Sequence, residues 1–183
     1  MSRCAWAKSP VTIAYHDAHW GKPVFDDVAL FKALMLEIQS SGLSFELILK
    51  KQSTLEKAYD NFIPEKLIRF DENRIARILQ DPGAIRHEKK IRAMVDNARA
   101  YLNLKASRLP FSKFLWDYVG GKPIQNNWTD IKQVPSKTLL SDQITKELKK
   151  RGFKFVGSTT VYAFMQATGM VNDHAANCPY KLR

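Results

Sequence analysis

Apolar side chains along the chain recur at spacings of three and four rather than two, as in Leu30, Phe31, Leu34, Met35 and Ile38 and again in Ile144 and Leu148. That period lines one face of a helix. Start and stop signals agree with it: Ser53 with Glu56 forms a capping box, Asp71 and Ser141 can cap, Pro64 suits a first helical turn, and Gly152 and Gly169 stand where helices end. The pattern predicts about eight helices, near 27–40, 44–52, 54–62, 65–80 with a break, 87–104, 111–119, 141–151 and 158–169. No convincing strand pair appears, although 154–156 is short and β-prone, and nothing repeats at a fixed period. The expected fold class is therefore all-α, as one helical domain over residues 1–183. The stretch 120–137, with its paired glycines and two prolines, reads as a long loop pinned by Trp128.

Charge narrows the choice of partner. Lys and Arg number 29 against 18 Asp and Glu, a net charge of +11, which favours a polyanion and nucleic acid first. No apolar run approaches a membrane span, and Arg3, Lys8, His16 and Asp17 interrupt the first residues, so the expectation is a cytoplasmic protein without a membrane partner.

The two cysteines, Cys4 and Cys178, stand near opposite ends, each with a histidine close in sequence: His16 and His174. Two thiolates and two imidazoles make a tetrahedral zinc set. His174-x3-Cys178 is a good local spacing, whereas the gap from Cys4 to His16 needs a loop that returns on itself. Four protein ligands would leave no open position, so the metal would clip the terminal segments together. From spacing alone, unrelated buried thiols or a disulfide remain open.

Leu30, Leu34, Glu37 and Ser41 follow a 4, 3, 4 spacing, which puts Glu37 on the apolar face of its helix. An unpaired buried carboxylate is costly, so Glu37 either meets a cation inside the fold or faces a cavity where it accepts hydrogen bonds from a ligand. Trp6, Tyr15, Trp20 and Phe45 crowd the same neighbourhood, with the small corner Ser40-Ser41-Gly42 between. Aromatic faces with one acceptor suit a flat polar base, and plain core filling is the alternative.

Between Ile75–Leu79 and a helix starting near His87, the turn holds Pro82-Gly83 and Arg86, followed by Lys89, Lys90 and Arg92. Free backbone N–H groups at such a turn bind phosphate, which makes 71–104 a candidate helix-hairpin-helix motif. A second basic run, Lys146, Lys149, Lys150, Arg151 and Lys154, also reads as a solvated face.

Several stretches are long and unusual in composition: Arg3-Cys4 through Trp6, Ala14-Tyr15-His16-Asp17 with Trp20-Gly21, Gly42-Leu43-Ser44, Ile85-Arg86-His87, Asn97-Ala98-Arg99-Ala100-Tyr101, Arg151-Gly152-Phe153-Lys154-Phe155-Val156-Gly157 and Val171-Asn172-Asp173-His174. Together they resemble the bacterial 3-methyladenine DNA glycosylase I family of the helix-hairpin-helix superfamily, nearly end to end. The resemblance implies a monomeric repair enzyme that binds duplex DNA with an alkylated adenine and releases 3-methyladenine. It implies structural zinc on Cys4, His16, His174 and Cys178, and Glu37 as the catalytic, base-reading carboxylate. Tyr15, Trp20 and Phe45 fall at base-binding positions. Gly42 and Leu43 fall where the family enters the duplex, and the hairpin reading above makes Gly83, Arg86, Lys89 and Lys90 the candidate DNA contacts. Phe45 and Thr12 depart from the Trp and Tyr usual in the family, which bears on base affinity more than on activity class.

The expected chemistry is hydrolysis without strand cleavage. No aspartate of the Gly-Pro-Asp type follows the hairpin, and no lysine is obviously placed for a Schiff base. Glu37 would favour the cationic base, with Asp17 and Asp173 as candidate stabilisers of the sugar cation. A damage-binding protein without turnover and an RNA-binding helical domain are the competing readings.

Overall fold

The computed structural model describes residues 2–181, which form nine α-helices and one two-residue strand pair. The central helix is α2 (Asp27–Ser40), whose Leu30, Phe31, Leu34, Met35 and Ile38 are fully buried. Asp26 caps it, and the apolar period read from sequence is the face it turns to the core. Around it pack α3 (Phe45–Ala58), α6 (Glu88–Ala106), α7 (Phe111–Trp116) and α9 (Ser158–Ala167). Two outer layers complete the body: α4 (Pro64–Leu67) and α5 (Glu72–Gln80) lie on α6, and α8 (Leu139–Lys150) lies on α9. No helix among the described residues is long and apolar enough to cross a membrane.

Four details depart from the sequence reading. A further helix, α1 (Pro10–Ala18), precedes the first one expected; only Thr12 and His16 on it are buried, so it shows almost no apolar period. Where two helices were expected between 44 and 62, α3 runs unbroken to Ala58 with Ser53 inside it. Its neighbour Thr54 donates instead to the carbonyls of Lys51 and Gly83, at 2.9 and 2.8 Å, and so ties α3 to the hairpin. The helix stops because Asp60, Asn61 and Phe62 take left-handed φ of 49, 58 and 57°. At α8 the cap is Thr138, with Ser141 as its reciprocal partner three residues on.

The strand pair lies elsewhere than 154–156. Ile124–Gln125 (β1) pairs in parallel with Val171–Asn172 (β2), and this stitches the loop after α7 to the segment after α9. Asp71 and Pro64 start helices as expected, and Gly152 and Gly169 close them with φ of 95 and 70°. A side chain at Gly169 would meet the Lys22 carbonyl carbon at 2.5 Å, so the approach of 22–23 to the end of α9 requires glycine.

Candidate active site

Cys4, His16, His174 and Cys178 are all buried, and their ligand atoms lie within 4.8 Å of one another. Cys178 Sγ is 3.4 Å from His174 Nδ1 and 3.6 Å from His16 Nε2, and Cys4 Sγ is 3.6 Å from His174 Nδ1. Bonds of about 2.0–2.3 Å at a tetrahedral angle need ligand separations of about 3.3–3.8 Å, so the set fits zinc. The outer partners fit as well. His16 Nδ1 is 2.8 Å from Asp17 Oδ1 and His174 Nε2 is 3.1 Å from the Trp20 carbonyl, which leaves the inward nitrogens as acceptors. Burial holds His174 neutral, its pKa lowered to about 4, as a ligand must be. A disulfide is not formed, both cysteines being free.

Glu37 projects from α2 with 7% of its surface exposed, and burial alone pushes its pKa up to about 8. No hydrogen bond or ion pair reaches its carboxyl among the described residues, so the internal-cation alternative is not what the fold provides. It borders two cavities. One, of about 370 Å³, is walled by Trp6, Trp20, Ser40, Phe45, Ile131 and Gln166. The other, of about 350 Å³, lies toward Tyr15, Lys22, Lys32, Ile48 and Gln52, with Glu37 and Phe45 shared between them.

The aromatic cluster expected from sequence is a real wall. Trp6 stands edge-on to Trp20 at 5.0 Å between ring centres, and Tyr15 edge-on to Phe45 at 5.1 Å. Trp20 also stacks near His16 at 6.0 Å, so the first cavity is built against the cysteine–histidine cluster. Tyr15 borders the second cavity rather than the first, and its hydroxyl is held protonated chiefly by burial and secondarily by Glu37. Thr12 reaches neither cavity; its hydroxyl caps α1, 3.0 Å from the Ser9 amide.

Sequence reasoning missed Ile131, Val134 and Gln166 as cavity walls. The first two sit in the loop read only as a connection, and the third is a polar residue on an apolar helix. Trp128 does pin that loop, donating from Nε1 to Asp173 Oδ1 at 2.7 Å. Asp173 also accepts from Asn126, Tyr162 and Gln166 at 2.7–2.8 Å, and Asp17 holds Arg3 and His16. Both aspartates hold neighbouring side chains, and neither lines the two cavities that Glu37 borders.

At the corner after α2, Gly42 has φ of 74° and Leu43 is 41% exposed. The hairpin follows α5 as expected, but Gly83 uses its own amide internally, donating to Asp81 Oδ1 at 2.7 Å. A side chain at Gly83 would meet Thr54 and Asp81 at 3.0 Å, so glycine serves close packing on α3. Arg86 and Lys89 are exposed at the start of α6. Lys90 is not: it is 3% exposed, and its amine donates to the carbonyls of Gln39 and Ser41 at 2.8 and 2.6 Å. The helical period turns residue 90 inward from exposed Lys89, and the amine satisfies the end of α2, so the expectation of a phosphate contact there is corrected.

Residues 5–181 match the methyladenine glycosylase family. The chain is 44% identical to DNA-3-methyladenine glycosylase 1 of Escherichia coli over 97% of its own length and 96% of that protein's. It is likewise 44% identical to the DNA-3-methyladenine glycosylase of Haemophilus influenzae, over 98% of both. A solved structure of 3-methyladenine DNA glycosylase I from Staphylococcus aureus, determined to explain 3-methyladenine recognition, superposes with a TM-score of 0.95 at 40% identity, covering 98% of this chain and 96% of that one. With a helical body, a lone carboxyl in an aromatic cavity and full-length similarity of this degree, the chain belongs to the methyladenine glycosylase family.

Proposed function

We propose that this protein is a DNA-3-methyladenine glycosylase, a base-excision repair enzyme that hydrolyses the N-glycosidic bond of 3-methyladenine in alkylated DNA. The single observation that carries the reading is Glu37, an unpartnered carboxyl buried in an aromatic-walled cavity large enough for a purine. Adenine methylated at N3 is a fixed cation in DNA and leaves as a neutral base, so no strong acid has to protonate it. A buried carboxyl offers that cation a charge-assisted acceptor that neutral adenine exploits less. Phe45, Trp20 and Trp6 supply ring faces and edges for the base, and Tyr15 backs Phe45 and Glu37 from the second cavity.

No lysine lines the first, aromatic-walled cavity, and of the two that border the second, Lys32 is ion-paired with Glu56 at 2.7 Å, which favours attack by water over a Schiff base and release without strand cleavage. On the DNA side, exposed Leu43 at the Gly42 corner is placed to fill the gap left by the extruded nucleotide. Arg86, Lys89 and the amides starting α6 face the phosphates, with Gly83 shaping the turn that presents them. Zinc on Cys4, His16, His174 and Cys178 would have a closed shell and supply no chemistry to the reaction; it holds the terminal segments against the cavity. In this reading the protein works as a monomer on duplex DNA in the bacterial cytoplasm.

Release of free base from alkylated duplex DNA, followed by chromatography, is the test. Liberated 3-methyladenine with an intact strand is the expected result. Tight binding to the duplex without release would make this a damage-binding protein, and indifference to the duplex with binding to RNA would remove the repair reading.

A further inference from the structure

Phe155, in the turn between α8 and α9, has φ of 59°, a left-handed backbone that bulky side chains rarely adopt. Its ring is 37% exposed although the adjacent Phe153 and Val156 are buried. The constraint comes from inside the fold. Fully buried Asn97 on α6 accepts from the Lys154 amide through Oδ1 at 2.6 Å and donates through Nδ2 to the Lys154 carbonyl at 3.2 Å. Both backbone groups before Phe155 are therefore clamped, and the ring is held outward. A left-handed backbone at a bulky residue carries a cost, and such outliers concentrate at ligand contacts.

The location supplies the ligand. The ring lies 5.6 Å from His87, the cap of α6 at the end of the hairpin, and 5.9 Å from the Lys90 amine. That amine in turn touches the Ser41 carbonyl, two residues before Leu43. The Lys90 amine thus links the Phe155 ring to the corner that carries exposed Leu43, while exposed Arg86, His87 and Lys89 lie beside Lys90 in the chain and exposed Lys154 precedes Phe155. Apolar tips set among cations match the faces of bases and sugars set among phosphates.

We infer that Phe155 is a second apolar contact with duplex DNA, resting its ring on a base or deoxyribose uncovered when the methylated nucleotide leaves the stack. This rests on the DNA reading of the site given above. The contact is distinct from that of Leu43, which comes from another segment.

The test compares wild type with Phe155→Asn, since asparagine tolerates the left-handed backbone and removes the ring. Fluorescence anisotropy would measure binding to a duplex with one tetrahydrofuran abasic analogue, with free 3-methyladenine affinity and Tm measured alongside. The variant should lose about tenfold in affinity for the abasic duplex, the scale of one lost stacking contact. Binding of the free base should be unchanged and Tm equal or higher, and Phe155→Gly should repeat the pattern. A duplex with abasic analogues on both strands identifies the partner: if the penalty vanishes, the ring rests on the opposite base, and if it persists, on a sugar or a flanking base. Unchanged affinity for the singly abasic duplex overturns the inference, as does an equal loss for the free base. Failure of the wild type itself to bind the duplex would instead remove the DNA reading on which it stands.

Discussion

His174 donates through Nε2 at 3.1 Å to the carbonyl of Trp20, a residue that walls the cavity beside Glu37. The other ring nitrogen of His174 faces Cys4 and Cys178, so one imidazole joins the metal set to the base cavity. With His16 stacked near Trp20 and edge-on to Trp6 at 5.4 Å, the cluster is a back wall for both indoles.

The purified protein should carry one zinc per chain, and Cys178→Ala should lower metal content and Tm together. Because the indoles lean on the cluster, affinity for free 3-methyladenine should fall several-fold at temperatures where the variant is still folded, as read by tryptophan fluorescence. Full affinity in folded, metal-free protein would show that the clip does not support the cavity.

Lys90 gives a sharp choice between two roles. As a buried cap of α2 it leaves two carbonyls unpaired when removed, at about 1–3 kcal/mol for a buried acceptor left unsatisfied. Lys90→Met should therefore lower Tm by several degrees and leave the salt dependence of DNA binding unchanged. A phosphate contact would do the opposite, with unchanged Tm and a salt slope smaller by about one. Lys89→Met, at an exposed neighbour, should show that second pattern.

Local signals are mostly legible in the sequence, although the Ser53–Glu56 box falls inside α3 and Ser141 is the partner of the Thr138 cap rather than the cap. The period of α2, the cap at Asp71, Pro64 in a first helical turn, and the helix stops at Gly152 and Gly169 are statements about neighbours in sequence, and they hold. Glu37 was legible because a carboxylate on an apolar stripe contradicts its own surroundings. Lys90 was misread because its reason lies on α2, 49 to 51 residues away in the chain. Ile131 and Val134 were missed for the same cause: Trp128 reads as a pin for their loop, but its partner Asp173 lies 45 residues away, and no local pattern tells which cavity the fastened loop walls. The two short strands are equally nonlocal, being paired across 47 residues of chain.

Phe45 borders both cavities, so its ring adjoins open space. Phe45→Trp should fit with little strain and widen the face offered to the base. The expected outcome is unchanged stability with excision equal to or a few-fold above wild type. A clear loss of excision in folded protein would mean that the indole closes the cavity instead of lining it.

The protonation of Glu37 yields the most discriminating prediction. Its carboxyl ordinarily titrates near 4.5 but is pushed up to about 8 by burial, so the free protein holds a proton there at neutral pH. Between those values the folded state binds more protons than the unfolded one, and stability contributed at low pH is lost as pH rises through about 8. Glu37→Gln should therefore match wild type in Tm near pH 5 and exceed it by several degrees near pH 9. Catalysis runs the other way, because the ionised form is the better acceptor for a cationic base. For wild type, kcat/KM should climb with pH and level off above about 8, while Glu37→Gln should be lower and lack that limb. A charge-assisted bond is worth roughly 1.5–3 kcal/mol, so the plateau should fall about ten- to a hundredfold. Full excision by well-folded Glu37→Ala would withdraw the carboxyl from the active site, whatever the pH profile.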